Sequence, residues 1–178
     1  AGSFMLSAFI EEGHYHIYPM GLSCGRRNHS LQSLEFPFSY REGQRKMVSS
    51  VYHAIGASRQ IFIQAPTGVG KTMSTIFPAV RAVGEGKGET IFYLTAKTIT
   101  RTVAQEAFEV LREKGMKYKV VTITAKEKLC FMDETKCDPV HCPYARGHFD
   151  RVNDAVYELW TTKSRYDRET IREQAEKW

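Results

Sequence analysis

Long hydrophobic runs are missing from this 178-residue chain. No stretch approaches the roughly 18–20 consecutive apolar residues that a membrane span requires. No basic segment precedes the apolar residues near the start, so a secretory leader is not expected, and the expected compartment is the cytoplasm. Cysteine is scarce: of four, Cys130, Cys137 and Cys142 crowd together while Cys24 stands apart. That layout argues against a disulfide scaffold, and close thiols in a reducing compartment more often hold metal. Internal repeats and low-complexity tracts are absent. So is an acidic pair at the end of any strand candidate, a lack that bears on chemistry below.

What is present describes a packed globular unit. Apolar residues make up 42% and charged residues 25%, which suits a folded core rather than disorder. Net charge is +5 and unevenly spread. Residues 35–125 carry 13 basic and 7 acidic side chains, whereas 126–178 carry 10 and 11. A basic middle suits an anionic ligand such as a nucleotide or nucleic acid, and equally a solvated face.

Residues 1–34 form a segment of unknown role. Met5 to Ile10 start either a strand or a helix, and the stretch through Gly21, Gly25 and Asn28 reads as loop. His14 and His16 have strand spacing, which puts them on one face, but two histidines without further ligands are more often surface residues. From Phe36 the pattern sharpens. Met47, Val48, Val51, Tyr52 and Ile55 recur at three- and four-residue steps and predict a helix over 42–55. Residues 60–65 predict a buried strand, 71–83 a helix stopped at Gly84, and 90–94 a second strand. Residues 99–114 predict a long helix ended by Gly115, and 119–123 a third strand. Alternating strands and helices indicate a parallel α/β sheet with right-handed crossovers and helices on both faces. After residue 125 the texture changes to a cysteine- and proline-bearing loop and then helical sequence without strand candidates. A boundary is therefore placed near Ala125, between an α/β unit (35–125) and a mainly helical insertion (126–178).

Ala65-Pro66-Thr67-Gly68-Val69-Gly70-Lys71-Thr72 fits the phosphate-binding loop, with Ala65 where the first glycine is usual. It lies between a predicted strand and a predicted helix, as the mechanism needs. Gly68 and Gly70 let backbone N–H groups turn toward phosphate oxygens, and the helix N-terminus adds the positive end of its dipole. Lys71 can reach the β- and γ-phosphates of ATP, and the Thr72 hydroxyl can ligate Mg²⁺. Hydrolysis also needs an acidic residue on another strand. No strand candidate supplies one, and Asp133-Glu134 lies in the cysteine loop. The chain is thus expected to bind ATP without the parts to split it efficiently, as a fragment of a longer motor.

Together these motifs resemble superfamily 2 DNA helicases of the XPD and DinG iron–sulfur type, over about residues 36–160. Phe36-Pro37-Phe38-Ser39-Tyr40-Arg41-Glu42-Gly43-Gln44 is similar to that family's Q-motif, which implies nucleotide contacts at Arg41 and Gln44. A glutamine amide offers the donor and acceptor that an adenine edge needs. The alanine-first loop, Pro66 to Thr72, is similar to motif I, and Tyr93-Leu94-Thr95-Ala96-Lys97-Thr98 to motif Ia. The latter implies contacts from Thr95, Lys97 and Thr98 to a single-stranded DNA backbone. Cys130, Cys137 and Cys142, at C-x6-C-x4-C spacing, resemble three ligands of a four-iron four-sulfur cluster (4Fe-4S), and no fourth cysteine follows them.

The thiols keep two other readings: zinc with His141 or His148, or no metal at all. The resemblance implies a RecA-like P-loop motor that couples ATP hydrolysis to 5′-to-3′ movement on single-stranded and forked DNA, expected as a monomer. Two alternatives come from other classes: a P-loop switch or kinase without translocation, and a zinc-containing nucleic-acid-binding module.

Overall fold

The computed structural model describes residues 24–96 and 98–178; His14, His16 and Lys97 lie outside the described residues. Seven helices and two short strands occur among the described residues, in the order α1 (Cys24–Gln32), α2 (Gln44–Gly56), α3 (Lys71–Gly84), α4 (Thr98–Glu113), β1 (Val120–Val121), α5 (Lys126–Leu129), α6 (His148–Thr162), β2 (Arg165–Tyr166) and α7 (Arg168–Lys177).

Helix α3 is the hub, packed by α1, α2 and α4. Its apolar residues Met73, Ile76, Phe77, Val80 and Val83 recur at three- and four-residue steps. They meet Ala104, Ala107, Phe108 and Leu111 of α4 in one buried cluster. Ile76, Val80 and Leu111 are at most 1% exposed, and each such side chain contributes about 2 kcal/mol by leaving water. The predicted helices at 42–55, 71–83 and 99–114 therefore form within a residue or two of their expected bounds.

Helix α1 replaces the expected loop through Gly25 and Asn28. Intrinsic propensity does not favour a helix there, but tertiary contact does. Leu31 and Leu34 are buried against α3, and the Gln32 side chain donates to the Gly84 carbonyl at 2.7 Å. Gly84 makes the approach possible: a Cβ there would lie 2.6 Å from the Leu31 Cβ and 3.0 Å from the Gln32 backbone nitrogen. The lead-in to α2 is fixed by aromatic contacts, with Phe36 stacked on Tyr40 at 4.3 Å and edge-on to Phe77 at 5.3 Å.

The three-stranded sheet expected from 60–65, 90–94 and 119–123 is corrected. The first two runs carry no ladder among the described residues. An isolated extended segment cannot satisfy its own backbone groups, so it becomes a strand only beside a neighbour. Alternation survives without the ladder: Ile91 and Tyr93 pack on the core, whereas Phe92 and Leu94 face outward at 66% and 89% exposure. The third run does pair, but with a strand the sequence pattern did not indicate. β1 lies parallel to β2, in register Val120↔Arg165 and Val121↔Tyr166. The ladder is closed by Val120 N–H to the Ser164 carbonyl at 2.9 Å and Thr122 N–H to the Tyr166 carbonyl at 2.8 Å.

The segment beyond residue 125 is helical as expected apart from β2. Helix α7 opens with a capping box, the Asp167 carboxylate accepting from Thr170 N–H while the Thr170 hydroxyl accepts from Asp167 N–H. Glu158 on α6 ties α6 to α7, accepting from Lys177, from Trp178 Nε1 at 2.7 Å and from Gln174 Nε2 at 3.0 Å. Among the described residues no helix is long and apolar enough to cross a membrane.

Candidate nucleotide site and its neighbours

The loop from Ala65 to Gly70 joins the extended run 60–64 to α3. Gly68 and Gly70 take the left-handed region, with φ of 85° and 79°, where a side chain costs energy and glycine does not. Gly70 is the N-cap of α3 and carries no side-chain cap. The first-turn N–H groups of Lys71, Thr72 and Met73 lack intrahelical acceptors by geometry, so the helix presents donors and a positive dipole end at the loop. This donor set fits a polyphosphate. Lys71 Nζ bridges the Ala65 and Pro66 carbonyls at 2.9 and 2.8 Å, which holds its ammonium over the mouth of the loop. Thr72, beside it, is half-buried; its hydroxyl is the group suited to a Mg²⁺ ion. Thr67 and Pro66 are exposed and Val69 half-buried along the same loop.

Two further residues close on the loop from α2 and the turn that precedes it. The Arg41 guanidinium donates to the Gly68 carbonyl. Gln44, 3% exposed, accepts the Arg41 backbone N–H on Oε1 at 3.0 Å, and its Nε2 lies 2.6 Å from where a Cβ on Gly70 would be. The sequence-predicted Arg41, Gln44 and loop residues are thus brought together. Gln44 meets the phosphate loop directly, a contact the sequence pattern did not anticipate.

Thr98 begins α4 and is exposed, and Thr95 is half-buried two residues before the undescribed Lys97. Thr95 also lines a cleft of about 2070 Å³ between the outward face of 90–94, α4, β1 and the α6–α7 pair. No residue of the phosphate loop lines that cleft. On its wall the Lys119 ammonium sits 3.4 Å above the centre of the Trp160 ring and donates to the Trp160 carbonyl. Loss of water lowers its pKa to about 8. Burial likewise pushes the Tyr166 hydroxyl, whose ring stacks on Trp160, up to about 12.

The cysteines occupy three environments: Cys130 half-buried, Cys137 exposed, Cys142 buried. Among the described residues, no three His, Cys, Asp or Glu side chains are gathered to hold a metal ion. A four-iron cluster needs four thiolates around one centre, so this donor set does not fit one. Beside the thiols, His141 Nδ1 meets the Asp138 carboxylate at 2.8 and 2.9 Å. That ring contact, with the His141 backbone N–H, holds Asp138 below its ordinary pKa. The loop is instead held by protein. Arg172 on α7 donates to the Cys130 carbonyl at 3.1 Å and lies 4.1 Å from the Phe131 ring, which stacks on Tyr144 at 4.6 Å. Nothing in the spacing of Arg172 signals this clamp from sequence.

Comparison with known proteins bears on the same region. The family model described as DEAD/DEAH box helicase matches residues 41–144, more than half of the chain. A relative from Methanocaldococcus jannaschii, described as "Probable ATP-dependent helicase", is 29% identical over 123 residues. The match covers 67% of this chain and 18% of the relative, so this chain spans about a fifth of the relative's length. No solved structure matches the chain.

Proposed function

We propose, from the premise that this chain belongs to the DEAD/DEAH box helicase family, that it forms the ATP-binding part of a motor that moves along single-stranded DNA. The family carries the P-loop NTPase fold, ATP with Mg²⁺ and a nucleic-acid partner. The finer reading, an XPD/DinG-type motor that tracks DNA 5′ to 3′ and opens forked duplexes, is supported by the Q-motif-like run from Phe36 to Gln44 and the alanine-first loop.

The observation that carries the proposal is the convergence on one loop. Two left-handed glycines, the uncapped N-terminus of α3, the Lys71 ammonium and the Arg41–Gln44 pair meet within residues 65–72. In the proposed site Lys71 moves from the two loop carbonyls to the β- and γ-phosphates, and Thr72 holds Mg²⁺. Thr95, Lys97 and Thr98 supply hydroxyls and charge to the DNA backbone, where contacts position the strand without reading its sequence.

The chain spans a small part of its relative, so hydrolysis and translocation are proposed for the complete polypeptide. The test is ATP hydrolysis by that polypeptide with and without single-stranded DNA, compared with Lys71→Ala. Loss of DNA-stimulated turnover in the variant is expected. Undiminished stimulation in Lys71→Ala removes the motor reading. Nucleotide binding with no response to DNA favours the switch or kinase class instead.

A further inference from the structure

The Arg41 guanidinium reaches from three residues before α2 to the carbonyl of Gly68, 27 positions along the chain. That carbonyl belongs to the Gly68–Val69 peptide, at the centre of the phosphate loop. A trans peptide is planar, and its C=O and N–H point in opposite directions. Whatever holds the Gly68 oxygen therefore also sets where the Val69 N–H points. With the oxygen held from the α2 side, the Val69 N–H is turned away from α2. The other flank is already occupied in the same sense: buried Gln44 packs its amide against Gly70, and Lys71 holds the carbonyls of Ala65 and Pro66.

Gly68 has the freedom that makes such a hold necessary. Its φ is 85°, and a Cβ there would meet nothing within 4 Å. The residue has no side chain to restrict it, and glycine's permissive backbone allows the peptide to flip. A flipped peptide presents its oxygen to a phosphate, where a like charge is repelled.

We infer that Arg41 is a positioning residue for the triphosphate, acting through the Gly68 carbonyl to orient the Val69 N–H as an anion donor rather than by touching the nucleotide. The inference rests on the nucleotide-site reading above and deepens it. It separates Arg41 from Gln44 in role: Arg41 sets affinity for the phosphate chain whatever base is attached. A guanidinium suits the task because it is charged at all working pH and donates to the carbonyl without accepting anything in return.

The test is titration calorimetry of the chain with ATP and with inorganic tripolyphosphate, each with Mg²⁺. Parent, Arg41→Met, Arg41→Lys and Lys71→Ala are compared, with folding checked by circular dichroism. Arg41→Met is expected to weaken ATP and tripolyphosphate by the same factor, about tenfold for a lost charge-assisted hydrogen bond. Arg41→Lys, which still donates to the carbonyl, restores most of it. In amide spectra the Val69 signal shifts on tripolyphosphate addition in the parent and in Arg41→Lys, and not in Arg41→Met. Weakening confined to ATP places the guanidinium on the base or ribose and overturns the inference, as does unchanged binding of both ligands by Arg41→Met. If the methionine variant does not fold, Arg41→Ala, which likewise has no donor, is read in its place against the same outcomes. A folded parent that binds neither ligand removes the nucleotide-site reading itself. Binding by the parent and loss in Lys71→Ala, with Arg41→Met unaffected, removes only the role of Arg41.

Discussion

The side-chain amide of Gln44 fills the space a Cβ would need on Gly70, its Nε2 lying 2.6 Å from that position. The N-terminal end of α2 and the loop before α3 are thus one packed unit, and glycine is required at residue 70 for two separate reasons.

Gly70→Ala tests both. A left-handed φ of 79° costs a non-glycine residue about 1–2 kcal/mol. Displacing Gln44 also breaks its bond from the Arg41 N–H, worth about 1 kcal/mol. A loss of about 2–3 kcal/mol in chemical denaturation is expected. Adding Gln44→Ala relieves only the steric part, so the double mutant remains less stable than Gln44→Ala alone.

Gly84→Ala is expected to reverse the usual sign. In most helices this exchange stabilises by about 1 kcal/mol. Here the added methyl meets the Leu31 Cβ and the Gln32 and Asn28 backbone at 2.6–3.2 Å, and backbone cannot swing aside as a flexible side chain does. Overpacking of this kind costs about 1–3 kcal/mol. The denaturation midpoint should fall, and a rise would show that α1 is not seated as described.

Acid should loosen the α6–α7 pair through Glu158. Lys177, then Trp178 and Gln174, hold its carboxyl at about 2, below its ordinary 4.5. A carboxyl depressed by folding adds stability that is fully present above its unfolded value and lost as pH falls through the folded one. The contribution therefore declines between about pH 4.5 and 2. Trp178 emission should report the change, and Glu158→Gln should remove that part of the pH dependence.

The Lys119 ammonium over the Trp160 ring gives an optical titration. Its pKa lies at about 8 rather than 10.5 because it has lost water. Folding thus penalises the charged form, and stability should rise with pH from about 8 toward 10.5. In a Trp178→Phe background, Trp160 emission should change with a midpoint near 8, and Lys119→Met should be flat across that range.

Helices with a strong three- and four-residue period were legible because the period and the buried stripe are the same fact. Met73, Ile76, Val80 and Leu111 announce their positions. The phosphate loop was legible because glycine positions and chemistry coincide there. Helix α1 was not, since Gly25 and Asn28 argue locally for a loop and only Leu31 and Leu34, landing on α3, decide otherwise. Strand β2 was hidden for a related reason: two residues, Arg165 and Tyr166, carry no period, and they become a strand by meeting Val120 and Val121. The runs at 60–65 and 90–94 show the converse. The first reads as a buried strand yet Ile61, Phe62 and Ile63 are exposed, because burial and a ladder depend on a neighbour that the pattern of one segment cannot declare. The Arg41 and Arg172 contacts joined residues far apart, which no local spacing encodes.

Those two unladdered runs also govern how the chain behaves toward its own copies. Phe62 is 94% exposed and Leu94 89%, on runs that carry no ladder among the described residues. Such a run is a template for intermolecular pairing. Concentrated solutions of this chain should build oligomers strand by strand, and a lysine at residue 62 or 94 should slow their growth without touching the phosphate loop. For anyone preparing the protein, colloidal behaviour and nucleotide chemistry are separable properties, written in different residues.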